Sequence, residues 1–163
     1  MTQPSIRPAR LSDIRQIASL SRQSVATTYN FYDKQIQKIL LKRQSAPRLL
    51  HTVLRHLRVV LVAARGQTVV GYLVGTPAND GVALVYSLYV DKEERGSGMG
   101  GQLLSYFETR VVPDYISKIM LWTEVAAPYY RKLGWRETAE LPNHWWGQTF
   151  WIFVKDVQPR PRG

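Results

Sequence analysis

The stretch DKEERGSGMGGQLL, residues 91–104, places Gly96, Gly98, Gly100 and Gly101 within six positions, between a charged turn and an apolar run. Glycine at such density costs conformational entropy that an ordinary turn does not require. It lets consecutive backbone N–H groups converge on one anion, with dihedrals and close approach that a Cβ would obstruct. A helix beginning at the loop adds the partial positive charge of its N-terminus. The chemistry to expect is a pyrophosphate cradle. Two spacings overlap in it. Gly96, Gly98 and Gly101 fit G-x-G-x-x-G, the spacing of dinucleotide loops, and Arg95, Gly98 and Gly100 fit R-x-x-G-x-G, a second pyrophosphate-binding spacing.

The elements around the loop have to position it. SIRPA opens a short strand, and LSDIRQIASLSRQS follows as a helix with Ser12 as N-cap and Ile14, Ile17 and Ala18 at helical spacing. KQIQKILLKR is a second amphipathic stretch. SAPRLLHTVLRHL restarts a helix, with Leu50, Val53, Leu54 and Leu57 as one apolar stripe. RVVLVAARGQTVVGYLVGT reads as a hairpin turning at Arg65-Gly66-Gln67. VALVYSLYV is a near-continuous apolar strand, expected to be buried on both faces. After the glycine loop, Leu103, Leu104, Phe107 and Val111 line one helical face, and Pro113 ends it. SKIMLWTEV is a strand, and APYYRKLGW is a short helix with Gly134 as C-cap. RETAEL and QTFWIFVKDV are two last strands joined by PNHWWG. The order β-α-α-β-β-β-α-β-α-β-β predicts a single α/β domain with a mixed sheet over residues 1–157, and residues 158–163 as a disordered tail.

That context separates the two glycine readings. A dinucleotide fold runs its strand almost directly into the first glycine and places an acid about 20 residues further on. Glu124 mimics the acid. Against this reading, five residues separate Val90 from Gly96, and the loop lies past the middle of the chain. No Gly-Lys-Ser/Thr follows, which makes a P-loop the weaker reading still. LYVDKEERGSGMGGQLL instead resembles the acetyl-CoA-binding motif of the GNAT N-acetyltransferases. APYYRKLGW resembles the later motif of that family, an aromatic-Tyr pair followed by x-x-x-Gly-aromatic. The element order is similar over nearly the whole chain.

The resemblance implies a fold, a donor and roles. The strand ending at Val90 splays from the strand 118–124, and the pantetheine arm of acetyl-CoA enters the gap beside Leu88, Tyr89 and Val90. The pyrophosphate accepts N–H bonds from Arg95, Gly96, Ser97, Gly98, Met99, Gly100 and Gly101. Tyr130 lies near the thioester sulfur and protonates the departing thiolate as general acid. Proximity supplies much of the rate, and a backbone N–H stabilises the oxyanion. Many members carry a glutamate on the strand before the loop as general base. Here that strand has Leu84 and Tyr86 at the corresponding face, and Glu124 is the nearest replacement by element position. The acceptor site of the family lies between the first helices and the last hairpin, here TTYNFYD and LPNHWWG. Tyr29, Phe31, Tyr32, Trp145 and Trp146 are its expected lining, suited to an apolar amine or a cation.

Composition bounds the rest. The chain has 163 residues and no cysteine, which removes disulfides and a thiol nucleophile. Its three histidines are scattered, and no metal site is expected. No apolar run has membrane-spanning length, and MTQPSIRPAR lacks the apolar core of a signal peptide, so a cytoplasmic protein without membrane contact is expected. The formal net charge is +10, and no acidic residue lies between Asp33 and Asp80. Such a field suits a phosphorylated cofactor or another polyanion and repels a polycationic acceptor. The reading is therefore an acetyl-CoA-dependent N-acetyltransferase acting on a primary amine of a small molecule or peptide. The alternatives are an acyl-CoA sensor or a polyanion-binding protein on the same fold. Nucleic acid is the less favoured partner, since no aromatic-interleaved basic motif is present. A homodimer is common in the family that the sequence resembles.

Overall fold

The computed structural model describes residues 4–157; the expected tail at 158–163 lies outside them. One seven-stranded sheet carries the chain, in the order β1-β2-β3-β4-β5-β7-β6. β1 (Ser5–Pro8), β2 (Val59–Arg65), β3 (Thr68–Asn79) and β4 (Val82–Val90) form an antiparallel meander. β5 (Lys118–Thr123) joins β4 in parallel, and β7 (Phe150–Asp156) lies between β5 and β6 (Arg136–Leu141). The β-branched runs form these strands because alternate side chains then enter two apolar layers. Leu61, Ala63, Leu73, Val85, Ile119 and Leu121 pack with α4 (Met99–Tyr106) and α5 (Ala127–Lys132). Val60, Val62, Tyr72 and Val74 pack with α1 (Ile14–Thr27) and α3 (Ala46–Leu54).

Four local expectations are corrected. The element order counts two helices before the hairpin where the described residues form three, because KQIQKILLKR and SAPRLLHTVLRHL are separate helices, α2 (Lys34–Arg43) and α3, broken at Gln44-Ser45. Asp33 caps α2, its carboxylate accepting the N–H groups of Gln35 at 2.8 Å and Ile36 at 2.9 Å. Second, the buried leucine of α3 is Leu49, whereas Leu50, Leu54 and Leu57 are exposed. The helix ends at Leu54, and His56 is left-handed at φ 50°, which turns Leu57 off the stripe. Third, β4 is buried through Ala83, Leu84 and Val85, but Tyr86, Ser87 and Leu88 are only partly covered. The sheet opens there.

Ser12 does not cap α1. It lies in a 3-10 turn, Leu11–Asp13, and Asp13 holds the junction. The Asp13 carboxylate is almost fully buried. It accepts the Arg10 N–H at 2.7 Å and both terminal nitrogens of the Arg7 guanidinium, at 2.6 and 3.1 Å. The Arg7 bonds, its largest stabilising influence, hold its carboxyl below the usual range despite desolvation. A lowered folded pKa means stability that is present above the unfolded value, about 3.9, and lost as pH falls through the folded value. Asp13→Asn is expected to destabilise the fold at pH 7 by about 1.5–3 kcal/mol. Urea titrations at pH 7 and pH 3 check this, with the deficit shrinking at the lower pH.

Candidate active site

β4 and β5 pair only at Ala83–Ile119 and Leu84–Met120. Beyond Leu84 the strands part. The register of β3 on β4 slips at the same place, between Val74–Ser87 and Gly75–Val85, leaving Tyr86 as the extra residue of a bulge. A bulge sharpens local twist and turns the strand end away from its neighbour. The gap opens into a cleft of about 1180 Å³. Its walls come from β4, β5, α4, α5 and the segments between α1 and β2.

The glycine loop closes one end. Gly98 is the residue before α4 and is left-handed at φ 80°, a conformation that strains any side chain. A Cβ on Gly100 would overlap the Tyr129 hydroxyl, so the missing side chain is what lets Tyr129 close over the start of α4. The N–H groups of residues 96–101 donate to no acceptor among the described residues. Unpaired donors on the first turn of a helix, lining the cleft, fit a pyrophosphate. The charged turn is braced from outside. Arg65 donates to Glu94 at 2.9 and 3.2 Å, and Ser97 Oγ donates to the Glu94 carbonyl at 2.6 Å. Arg95 turns its side chain back onto β4, with Nε 3.3 Å from the Val90 carbonyl and the guanidinium 5.3 Å from the Tyr89 ring. Leu88, Tyr89, Val90, Arg95, Gly96, Gly98, Met99, Gly100 and Gly101 all line the cleft, whereas Ser97 does not.

Glu124 and Tyr130 lie where β5 hands over to α5. The Thr123 hydroxyl accepts the N–H groups of Val125 at 3.3 Å and Ala126 at 2.9 Å, folding TEVAA into a tight turn. Glu124 stands in that turn, on the cleft, and accepts the Tyr32 hydroxyl at 3.3 Å. Burial pushes its carboxyl above the ordinary range, against the opposing pull of a backbone N–H and of Tyr32. It is therefore not a solvated strand-end charge. Tyr130 is 6% exposed, packed edge-on against Tyr129 and Trp135 and tilted against Phe153, and its phenol is pushed well up by burial. α5 ends in a Schellman turn, with Gly134 N–H bonded to Arg131 O at 3.0 Å and Trp135 N–H to Tyr130 O at 3.1 Å. That turn fixes Tyr130 against Trp135.

The aromatic lining is divided. Tyr29, Trp145 and Trp146 face the cleft. Tyr32 is buried behind it and reaches Glu124, while Phe31 is 48% exposed and covers Tyr32, with ring centres 4.4 Å apart, and Tyr29, at 6.4 Å. Trp146 is left-handed at φ 53°, a costly conformation for a bulky residue. Its ring meets that of Tyr32 edge-on at 5.5 Å. Four contributors were missed from sequence. Arg43 lies 5.4 Å from Trp146 and 6.0 Å from Trp145, Arg58 lies 4.0 Å over Tyr86, Trp122 continues the Tyr86 wall, and Tyr129 overhangs Gly100. The acid-free run pointed to the arginines only as a group.

Residues 56–137 match the family profile described as an acetyltransferase (GNAT) domain, half of the chain. The chain belongs to the GNAT acetyltransferase family. Among curated proteins it is similar to blasticidin-S acetyltransferase of Streptomyces morookaense, 30% identical over 73 residues, which is 43% of this chain and 54% of that protein. The match thus spans about half the length of that relative. Among solved structures it is similar to the PaiA N-acetyltransferase of Thermoplasma acidophilum in complex with coenzyme A. There the TM-score is 0.80 at 19% identity, covering 95% of this chain and 99% of that one. An N-acetyltransferase of Staphylococcus aureus Mu50 gives 0.76 at 16% identity, covering 96% and 100%. At such identities the likeness shows the fold. The GNAT profile runs from β2 through α5 and so includes the loop, both parting strands and α5. No helix among the described residues is long and apolar enough to cross a membrane.

Proposed function

We propose that this chain transfers an acetyl group from acetyl-CoA to the primary amine of a small molecule. The observation that carries the reading is one cleft with unpaired N–H donors at one end and a partly buried carboxylate and a buried phenol where β4 and β5 part. The loop 96–101 would hold the pyrophosphate and the free edge of β4 at Leu88–Val90 the pantetheine arm. When bound, acetyl-CoA supplies a thioester carbonyl carbon open to attack by an amine. Glu124 takes the proton of the ammonium group, leaving the nitrogen lone pair free to form the amide bond. Tyr130 gives its phenolic proton to the sulfur as the carbon–sulfur bond breaks. Both groups suit these roles, since a raised carboxylate is a stronger base and a buried phenol stays protonated. The chemistry belongs in a cytoplasmic setting, where acetyl-CoA is made and used.

The assay is helped by the composition. The chain has no cysteine, so a thiol reagent reports only released coenzyme A. Calorimetric titration with acetyl-CoA tests binding directly. Gly98→Glu forces a side chain onto a left-handed residue and places a negative charge at the cradle. It is expected to weaken acetyl-CoA binding about 100-fold. Equal affinity in a variant with an unchanged circular dichroism spectrum would remove the loop from the cofactor site.

A further inference from the structure

We infer that the acceptor amine is a small molecule that also carries a carboxylate or phosphate, and that Arg43, Arg48 and Arg58 receive that group. The inference rests on the acetyl-transfer reading above and names its substrate class. All three arginines line the cleft, from the end of α2, from α3 and from the approach to β2. The ion pairs of the described residues use Arg7, Arg65, Arg131, Arg136, Lys118 and Lys155, so these three cations stand without an acidic partner. The cause is in the sequence, because no acid lies between Asp33 and Asp80.

Two of the three are held on cleft-wall rings. The Arg58 guanidinium lies 4.0 Å over the Tyr86 ring, and that of Arg43 lies 5.4 Å from Trp146. Neither guanidinium donates a hydrogen bond among the described residues, so their N–H groups are available to a carboxylate or phosphate, which accepts them in pairs. The Arg43 contact also changes the meaning of the tryptophans. Their cation site is filled by the protein's own arginine, so a cationic acceptor finds neither a free aromatic box nor a tolerant field. Glu124 is the opposite pole, lying against Tyr32, whose ring meets Trp146, which in turn carries Arg43. A site with a carboxylate at the reacting end and arginines along the rim matches a molecule with an amine at one end and an anion at the other.

The test is an acceptor panel read by coenzyme A release: amino carboxylates, phosphorylated amines, the same chains without the anion, and linear polyamines. The expected result is a kcat/KM at least about 10-fold higher for one of the anionic series than for the neutral amines, and the two series separate carboxylate from phosphate. Arg43→Gln with Arg58→Gln is expected to raise KM for the preferred anionic amine about 30-fold, more than it changes kcat. Acetyl-CoA binding by the variant serves as the folding control. Preference for neutral or polycationic amines, or an unchanged KM in the double variant, overturns the inference while leaving acetyl transfer standing. Acetylation confined to acidic peptides overturns the small-molecule assignment. Coenzyme A release with none of the amines overturns the transfer reading, and this inference with it.

Discussion

Replacing Glu124 by Gln is expected to lower acetyl transfer about 100-fold at neutral pH and, in the same variant, to stabilise the fold. Both effects come from one cause. Desolvation is the largest influence on this carboxyl, and it outweighs the backbone N–H and the Tyr32 hydroxyl that favour the charged form. The folded protein therefore holds the Glu124 proton more tightly than the unfolded chain does. Between the unfolded and folded pKa values the native state binds more protons, so stability falls as pH rises. The contribution is fully present below the unfolded pKa and is lost as pH rises through the folded one. Glutamine cannot ionise and escapes that loss. Calorimetric melting at pH 4 and pH 8 should show parent and variant close together at the lower pH and the variant ahead at the higher.

The rate carries its own signature. In the parent, the ascending limb of kcat/KM should lie above the ordinary carboxylate position, about 4.3, because the base must be ionised to act. Deprotonation of the amine itself adds a second, more alkaline limb. Glu124→Gln should lose the first limb and keep the second, which separates loss of a base from general damage. A variant with parental rates and an unchanged profile would leave deprotonation to water and return Glu124 to a structural role.

What could be read from the sequence follows a physical division. The glycine loop, β2 to β5 and α5 were legible because local rules set them: β-branched runs, glycine density and a helix-ending glycine. Contacts between distant segments were not. A carboxylate at the end of a strand looks solvated until Tyr32 reaches it from across the molecule. Trp146 and Arg43 belong to different segments, and only the fold brings one against the other. The face of α3 misled because Leu50, Leu54 and Leu57 of the apolar stripe are exposed, while Leu49 is buried in the core and Val53 is only partly buried against it. The bulge at Tyr86 left no mark in the alternation of β4, yet it is the register slip that accompanies the opening of the cleft.

Tyr130→Phe is expected to reduce kcat about 100-fold with little change in acetyl-CoA affinity. The substitution is unusually clean. The Tyr130 hydroxyl makes no hydrogen bond among the described residues, so removing it strands no partner. The ring contacts with Trp135 and Phe153, both at 5.7 Å, survive in phenylalanine. A residue kept only for packing would therefore show near-parental kcat and a near-parental melting point. Burial first, and the neighbouring Tyr129 second, keep the phenol protonated throughout the working range. The proton is thus available to a departing thiolate, which no other group proposed here would supply. Tyr129 provides the contrast, because its hydroxyl overhangs Gly100 at the start of α4. Tyr129→Phe should act on acetyl-CoA affinity, whereas Tyr130→Phe should act on turnover. If the two variants exchange these signatures, the proton comes from Tyr129 and the order of the pair has been read the wrong way round.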